Sequence, residues 1–159
     1  VILFGYHRIG YKILETLKKM KIKFLVIDYN PGVIMALTKK GIPCAYGDAS
    51  NKNLLCDSGI GTAKLIISTI PEEHTNLMIQ EFLDEIKSNA AFIATAEQPR
   101  EALRLYRAGV DYVVIPHHLG GDYASFMVQN LKTNKKRYKE IGKQHKNNLL
   151  LGKNSSTFI

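Results

Sequence analysis

Six short runs of β-branched and aliphatic residues recur along the chain at roughly regular spacing. They are VILF from residue 1, FLVID from 24, PCAYG from 43, KLIISTI from 64, AFIATAE from 91 and YVVIP from 112. The runs are nearly continuous in hydrophobic residues and do not alternate with polar ones. This pattern is typical of strands in a parallel sheet that helices cover on both faces, so we predict six parallel strands.

Segments with helical periodicity separate these runs. The first, over about residues 8–20, places its apolar residues on one stripe with lysines and Glu15 opposite. The second starts with Asn30 as N-cap and Pro31 at the first helical position, and it stops at Gly41. Helical segments therefore alternate with the predicted strands from the first run onward.

The next three helices have similar start and stop signals. Ser50 is expected to cap a third helix that ends at Gly59, and Pro71 with two glutamates is expected to begin a fourth. A fifth runs from Pro99 to Gly109. Strict alternation implies right-handed crossovers and a Rossmann-like, doubly wound α/β sheet of six parallel strands in the order 3-2-1-4-5-6. A ligand is expected where this order reverses.

A last helix is expected over about residues 120–138, and no strand follows it. Such a helix has no sheet face of its own, so we expect it to pack on a second copy of the chain. His117 and His118 are expected at the end of the sixth strand, where neighbouring side chains point to opposite faces and cannot jointly bind a metal ion. We therefore expect no metal site.

Composition narrows the class of protein. A chain of 159 residues with 45% hydrophobic and 23% charged residues is typical of one soluble domain. Cys44 and Cys56 lack the spacing of redox or zinc motifs, and we expect both to be reduced core residues. Since the chain starts on Val1 without a signal peptide, we expect a piece of a longer protein.

The net charge of +8 is concentrated near the end of the chain. Seven lysine and arginine residues between residues 132 and 146, against Glu140 alone, contribute +6 of it. We expect residues 132–159 to form a flexible basic tail, with contact to nucleic acid or to an anionic membrane leaflet as the alternative. The remaining chain is close to neutral, so no nucleic acid partner is expected there.

The loop GYHRIG after the first run resembles a dinucleotide-binding loop. Gly5 fits the glycine that makes the turn, and Gly10 fits the one that lets helix and strand pack closely. Asp28 ends the second run 18 residues after Gly10, where an acid accepts hydrogen bonds from ribose hydroxyls. These features in register predict a nucleotide site, and the acid disfavours the 2′-phosphate of NADP.

His7 replaces the second glycine of this loop. Its bulk lies where two phosphates normally approach bare backbone, so AMP or ADP is favoured and NAD(H) is left as a possibility. Alternatively, His7 and Arg8 donate hydrogen bonds to phosphate, and binding then weakens as the pH rises. A third interpretation is that His7 points to solvent.

Two further strand ends reach the same edge of the sheet. YGDAS places Asp48 and Ala49 where adenine is expected, and Asp48 could accept from its amino group. STIPEEHTN places Thr69 and Ile70 beside the phosphates. The candidate cofactor-binding residues are Gly5, Tyr6, His7, Arg8, Ile9, Gly10, Asp28, Tyr29, Asp48, Ala49, Thr69 and Ile70.

Three features of the sequence together form a recognisable pattern, namely GYHRIG, Asp28 and YGDASNKNLLCDSGIGTAKLIIST. With them, the sequence resembles the RCK/KTN family, also called TrkA-N domains, over residues 1 to about 130. The resemblance implies that the glycine loop faces phosphates, Asp28 faces ribose, and Asp48 and Ala49 face adenine. It also places Thr69 near the phosphate and second-ribose region.

The family's known role implies a function as well. These domains are cytoplasmic regulators of potassium channels and cation transporters, so we expect nucleotide binding and dimer rearrangement to gate ion transport. VVIPHHLGGDYAS is similar to the segment after the last strand of Kef-type cation/proton antiporters, where a crossover helix makes dimers. The implied partners are a membrane-embedded transport domain, of the same or an associated chain, and further copies forming a dimer or higher even oligomer.

The implied location is the cytoplasmic face of the cell membrane. The implied division is a nucleotide-binding domain over residues 1–131 and the basic tail over 132–159, with the last helix available for dimer contact.

Two other functions are the alternatives to a regulatory domain. An NAD-dependent oxidoreductase of the short-chain type needs a Tyr-x-x-x-Lys pair, and no tyrosine here is followed by such a lysine. The larger dehydrogenases need a substrate domain, for which the chain has no room, and His74 beside two glutamates is expected to be a surface residue. We therefore predict a regulator and not an enzyme. An interaction module with an empty nucleotide site is the other alternative.

Overall fold

A computed structural model describes residues 1–150 of the chain. Its sheet consists of six parallel strands in the order β3-β2-β1-β4-β5-β6, which confirms the predicted order. The strands are β1 (Ile2–Phe4), β2 (Leu25–Asp28), β3 (Cys44–Tyr46), β4 (Leu65–Ser68), β5 (Ala91–Thr95) and β6 (Tyr112–Val114). β1 lies in the middle, and its Phe4 pairs with Ile27 on one side and Ser68 on the other.

Seven α-helices connect or follow the strands. They are α1 (Gly10–Lys19), α2 (Pro31–Lys39), α3 (Lys52–Asp57), α4 (Glu73–Glu85), α5 (Pro99–Arg107), α6 (Pro116–Leu131) and α7 (Lys135–Leu150). The cap of α2 is the predicted one, because the side chain of Asn30 accepts from two amides of its first turn. Gly41, Gly59 and Gly109 follow their helices with φ of 64, 73 and 105°, in the left-handed region that glycine adopts at low cost.

The core lies on both faces of the sheet, as a doubly wound fold requires. On one face, Leu14 of α1 and Leu37 of α2 pack with Leu3 of the central strand. On the other face, Ile79 of α4 and Leu105 of α5 belong to a larger cluster. β1 contributes to both clusters and its three residues are at most 4% exposed, so the loop that follows it starts from a rigid position.

Two predicted helix starts are wrong. Asn51, and not Ser50, caps α3, since its Oδ1 accepts from the amides of Asn53 at 2.9 Å and Leu54 at 3.3 Å. The amide and hydroxyl of Ser50 are both donated to Asp48 instead.

The fourth helix also starts later than predicted. α4 begins at Glu73 and not at Pro71. The carbonyl of Glu72 accepts from the amide of Asn76, while the backbone of Glu72 is still extended. Pro71 therefore lies outside the helix, in the segment that links β4 to α4.

The chain divides into two compact units, Val1–Pro116 and a second that starts at His117. The single helix expected over 120–138 is wrong, because α6 and α7 are separate helices. Lys132 lies between them with a φ of 48°, which an α-helix does not contain.

Other expectations for this second unit also differ from the structure. Residues 135–150 of the expected basic tail form α7, and residues 151–159 lie outside the described residues. The pair His117 and His118 lies in the first turn of α6 and not at a strand end.

The two cysteines are free, as expected, but they are not both in the core. Cys44 is half-buried beside α2, whereas Cys56 is exposed on α3. Among residues 1–150, no helix has the length and apolar character needed to cross a membrane.

Candidate functional site

A cavity of about 570 Å³ lies at the carboxyl edge of the sheet in the first unit. Its lining comes from the segments that follow β1, β2, β3 and β4. The lining residues are Gly5, His7, Ile27, Asp28, Tyr29, Asn30, Val33, Gly47, Asp48, Ala49, Thr69, Ile70, Pro71, Glu72 and Thr75. Within the described residues, the lining takes nothing from the ends of β5 and β6. The cavity therefore spans the β1/β4 switch point but only part of the edge.

The loop after β1 is built around two glycines that no other residue can replace without a shift. Gly5 has a φ of 84°, and a Cβ there would lie 2.6 Å from the hydroxyl of Thr69. A Cβ on Gly10 would lie 2.1 Å from the carbonyl oxygen of Gly5, which is far inside van der Waals contact. The loop and the start of α1 thus approach each other as closely as backbone allows.

Asp28 is the most constrained acid of the cavity. Its side chain is 8% exposed, and its Oδ2 accepts from the backbone N–H of Tyr6 at 2.7 Å. Its Oδ1 accepts from the backbone N–H of Asn30 at 2.8 Å. Because each carboxylate oxygen has two lone pairs, both oxygens can still accept from a hydroxyl group in the cavity. Asp28 can therefore hold the loop and bind a ribose at once.

Thr69 bridges the switch point. Its hydroxyl lies 3.2 Å from the carbonyl oxygen of Phe4 and 3.1 Å from that of Gly5, so it donates to the loop after β1. Further along the crevice, the amide of Asn76 donates to the carbonyls of Ile70 at 2.8 Å and Thr95 at 3.0 Å. These bonds tie the end of β4 to both of its neighbouring strands.

Asp48 belongs to the turn that leads into α3. Its Oδ1 accepts from the backbone N–H of Ser50 at 2.9 Å and from the hydroxyl of Ser50 at 2.8 Å. These two hydrogen bonds, the backbone one first, lower the pKa of the Asp48 carboxyl below its ordinary value. Neighbouring Gly47 packs against Leu54, and a Cβ there would lie 2.7 Å from that side chain. The carboxylate of Asp48 is therefore held as an anion on the cavity lining.

Two consecutive glutamates at the start of α4 have different surroundings. Glu73 pairs with Arg104 of α5, and this hydrogen-bonded ion pair lowers the pKa of the Glu73 carboxyl. Glu72 instead accepts a hydrogen bond of 2.7 Å from the hydroxyl of Thr75. Of these two glutamates, Glu72 lines the cavity and Glu73 does not.

The structure places eight of the twelve candidate residues on the cavity lining, and the other four do not line it. Tyr6 contributes its backbone amide to Asp28, and Ile9 is the N-cap position of α1. Gly10 is buried against the loop and Arg8 is exposed.

Seven lining residues were absent from the candidate list, namely Ile27, Asn30, Val33, Gly47, Pro71, Glu72 and Thr75. Val33 and Thr75 lie within the first turn of α2 and α4. Each of these helices starts at the edge of the sheet and places one residue of its first turn on the cavity lining. The third position of each helix is therefore the sequence signal that identifies Val33 and Thr75 as lining residues.

No group of three or more histidine, cysteine, aspartate or glutamate residues in the described part of the chain is arranged to hold a metal ion.

The family model for the TrkA-N domain matches residues 1–116, the same stretch that forms the first compact unit. The chain belongs to the TrkA-N domain family. The resemblance stated from the glycine loop and the GDAS turn is thereby confirmed.

Two curated relatives of this TrkA-N domain are membrane transport proteins by name. Potassium channel protein 1 of Methanocaldococcus jannaschii is 32% identical over 122 residues, covering 76% of this chain and 37% of the channel protein. The glutathione-regulated potassium-efflux system protein KefC of Escherichia coli is 33% identical over 111 residues, covering 70% of this chain and 18% of KefC. The TrkA-N domain thus spans well under half the length of either relative.

Solved structures show the same fold. The TrkA-N domain of the inner membrane protein ybaL from Escherichia coli has a TM-score of 0.72 at 25% identity, covering 82% of this chain and 95% of that one. The Shewanella denitrificans Kef CTD in AMP-bound form has a TM-score of 0.72 at 24% identity, covering 94% and 93%. GsuK bound to ADP has a TM-score of 0.69 at 21% identity, covering 77% and 32%. The predicted Rossmann-like fold is confirmed.

The prediction that this domain is not an enzyme is confirmed by the family and by its relatives, which are channel and efflux-system proteins.

Proposed function

We propose that this TrkA-N domain binds an adenine nucleotide in the cavity at the carboxyl edge and thereby regulates a potassium channel or a cation/proton antiporter. The observation that carries the proposal is the convergence of the glycine loop and Asp28 on one cavity at the switch point. In an open parallel sheet this is where a nucleotide is bound.

The geometry supports a specific orientation of the nucleotide. Its ribose hydroxyls donate to the free lone pairs of Asp28, and its phosphate lies on the loop from Gly5 to Gly10, with His7 as a donor. Its adenine lies toward Asp48 and Ala49. Each of these three parts then meets a segment that lines the cavity or supports it from behind.

A short phosphate chain fits this cavity better than a full dinucleotide. The lining stops at the start of α4, so the ends of β5 and β6, where a second nucleoside would lie, are not part of it. The bulk of His7 also disfavours a dinucleotide, because it occupies space that two phosphates would need. AMP and ADP are therefore the favoured ligands, and NAD(H) is the alternative. Among the similar structures, the Kef domain has AMP bound, and GsuK has been solved with ADP and with NAD.

The proposed partner is a membrane-embedded transport domain, of the same or of an associated chain, on the cytoplasmic side of the cell membrane. The two curated relatives support this, because the match covers only a small part of each. The proposed nucleotide-binding domain comprises residues 1–131, and its last helix makes a homodimer. α6 supports this contact, since it exposes Leu119, Phe126 and Val128 by more than half of their area.

Regulation requires that the nucleotide bind two arrangements of the dimer with different affinity. The transport domain can be shifted only by that difference, which is typically about 1 to 3 kcal/mol. Such a domain binds its ligand and releases it unchanged.

The test is native mass spectrometry of the purified chain, followed by calorimetric titration with AMP, ADP, NAD and NADH. A dimer that retains or binds AMP or ADP is the expected result. Retained NAD would support the dinucleotide alternative. A chain that binds none of the four, with an unchanged melting temperature at millimolar ligand, would leave the interaction module with an empty site as its function.

A further inference from the structure

The charged side chains that line the cavity are mostly acidic. Asp28, Asp48 and Glu72 line it, and His7 is the one basic residue among the described residues that do so. A phosphate is an anion, so a cavity of this composition needs a reason to accept it. The reason lies in how differently the three carboxylates are partnered.

Asp28 and Asp48 have donors within the protein that compensate their charge. Asp28 accepts from two backbone amides, and Asp48 accepts from the amide and hydroxyl of Ser50. Glu72 accepts only from the hydroxyl of Thr75 and forms no ion pair within residues 1–150. It makes no hydrogen bond to the amides of α4 either. Glu72 therefore brings the least compensated negative charge into the cavity.

The order of the strands decides where this charge acts. β1 lies between β2 and β4, so the loop after β1 separates Asp28 at the end of β2 from Glu72 after β4. A nucleotide with its ribose on Asp28 and its first phosphate on that loop extends any second phosphate toward the start of α4. Each phosphate after the first then approaches the carboxylate of Glu72.

We propose that Glu72 limits the ligand of this cavity to a nucleoside monophosphate, by repelling the second phosphate of ADP and of NAD. This inference rests on the proposed function and narrows its ligand class. Glu72 is exposed, so water and salt screen the repulsion, and its effect is one of preference and not of complete exclusion.

Thr75 is a positioning residue for this carboxylate. It is 4% exposed, and its hydroxyl holds Oε2 of Glu72 at 2.7 Å. Without that bond, the long side chain of Glu72 is free to turn to solvent. The preference for one phosphate therefore depends on both residues.

The test compares the affinities of AMP, ADP and NAD for the 159-residue chain and for Glu72→Gln, by calorimetry in EDTA. The substitution is expected to raise the affinity for ADP and NAD by about three- to tenfold and that for AMP by less than twofold. Glu73→Gln is the matched control, because Glu73 is adjacent and paired with Arg104. It is expected to change none of the three affinities.

A second pair of variants tests the positioning role. Thr75→Val is expected to reduce the preference for AMP over ADP, while Thr75→Ser is expected to retain it. A merely structural role would lower the melting temperature in Thr75→Val and leave the ratio of the two affinities unchanged, and that result would contradict the role given to Thr75.

Three outcomes would overturn the inference about Glu72. If AMP and ADP bind and the ratio of their affinities is the same in Glu72→Gln as in the unmodified chain, Glu72 does not disfavour a second phosphate. The proposed nucleotide site would be unaffected by that result. If the ADP affinity of Glu72→Gln is unchanged in EDTA and falls when Mg²⁺ is added, Glu72 binds ADP through the cation and does not repel it. If neither the unmodified chain nor any variant binds a nucleotide, the proposed function fails as well.

Discussion

The carboxylate of Asp28 accepts a hydrogen bond from the backbone N–H of Tyr6, with 2.7 Å between Oδ2 and the nitrogen. This bond joins the end of β2 to the loop after β1, across 22 residues of sequence. The other oxygen accepts from Asn30 at the start of α2. Asp28 therefore has a structural role in addition to the binding role proposed for it.

Replacing Asp28 with alanine is expected to lower both stability and nucleotide affinity. The two amides lose their acceptor, which costs about 1 to 3 kcal/mol of the free energy of unfolding. Urea denaturation measures this loss, and calorimetry with AMP measures the loss of the ribose contact. Asp28→Asn keeps one oxygen and the size of the side chain, so it separates the two effects. Full AMP affinity in a folded Asp28→Asn protein would argue against a ribose on Asp28.

Replacing Gly10 with alanine is expected to distort the loop. The new Cβ would lie 2.1 Å from the carbonyl oxygen of Gly5, so either α1 or the loop must move. We expect the free energy of unfolding to fall by about 3 kcal/mol. We also expect a loss of nucleotide binding. Thermal denaturation and calorimetry measure the two.

Gly142→Ala is the control for this substitution. A Cβ on Gly142 meets nothing within 4 Å, and the residue lies inside α7. Alanine there is expected to raise stability by about 0.5 to 1 kcal/mol, because glycine is unfavourable within a helix. Equal effects of the two substitutions would contradict the close approach of the loop to α1.

Replacing His7 with glycine is expected to favour dinucleotides. His7 is a lining residue of the cavity, and removal of its imidazole leaves bare backbone where a diphosphate would lie. We expect the affinity for NAD to rise relative to that for AMP on the order of fivefold, or about 1 kcal/mol. Competition calorimetry with the two ligands measures this ratio. An unchanged ratio would mean that His7 points away from the phosphates.

Asn51→Ala and Ser50→Ala distinguish the cap of α3 from its neighbour. Asn51 accepts from two amides of the first turn, so its loss is expected to cost about 0.5 to 2 kcal/mol of stability. Ser50→Ala removes only a hydroxyl that donates to Asp48, and it is expected to alter nucleotide affinity more than stability. Urea denaturation measures the loss of stability in each variant. A larger loss in Ser50→Ala than in Asn51→Ala would restore Ser50 as the cap.

The ion pair between Glu73 and Arg104 is expected to make stability pH-dependent. Because the pair lowers the pKa of Glu73 in the folded state, its contribution is present at neutral pH and is lost as the pH falls through the folded pKa. The melting temperature of Glu73→Gln is therefore expected to lie slightly below that of the unmodified chain at pH 7, and the difference is expected to disappear once the pH is low enough to protonate Glu73 in the folded state. Arg104→Gln is expected to raise the pKa of Glu73, which an NMR titration of its side-chain carboxyl measures.

Much of the fold was predictable because its signals are local. The strand runs and the cap at Asn30 each act within a few residues, and the alternation of strand and helix leaves one common strand order. The cap of α3 was not predictable in the same way, because Asp48, Ser50 and Asn51 are all cap-forming residues in one short turn. Asp48 takes the donors of Ser50, and this choice depends on the backbone of the turn.

The candidate site was predictable where spacing along the sequence determines it. The loop glycines and Asp28 follow from that spacing. The role of Glu72 depends instead on what its neighbours do, because Arg104 approaches Glu73 from another helix and Thr75 lies one turn away. A sequence shows two equivalent glutamates, and only their contacts distinguish the one that lines the cavity.

The central position of β1 has a consequence for the order in which the domain folds. Its two neighbours, β2 and β4, lie about 23 and 64 residues later in the chain. During synthesis, the residues of the glycine loop are therefore made early but acquire their final shape only after β4 and Thr69 have left the ribosome. The loop after β1 is thus one of the first segments to be translated, but it is completed only once the chain has been synthesised through β4.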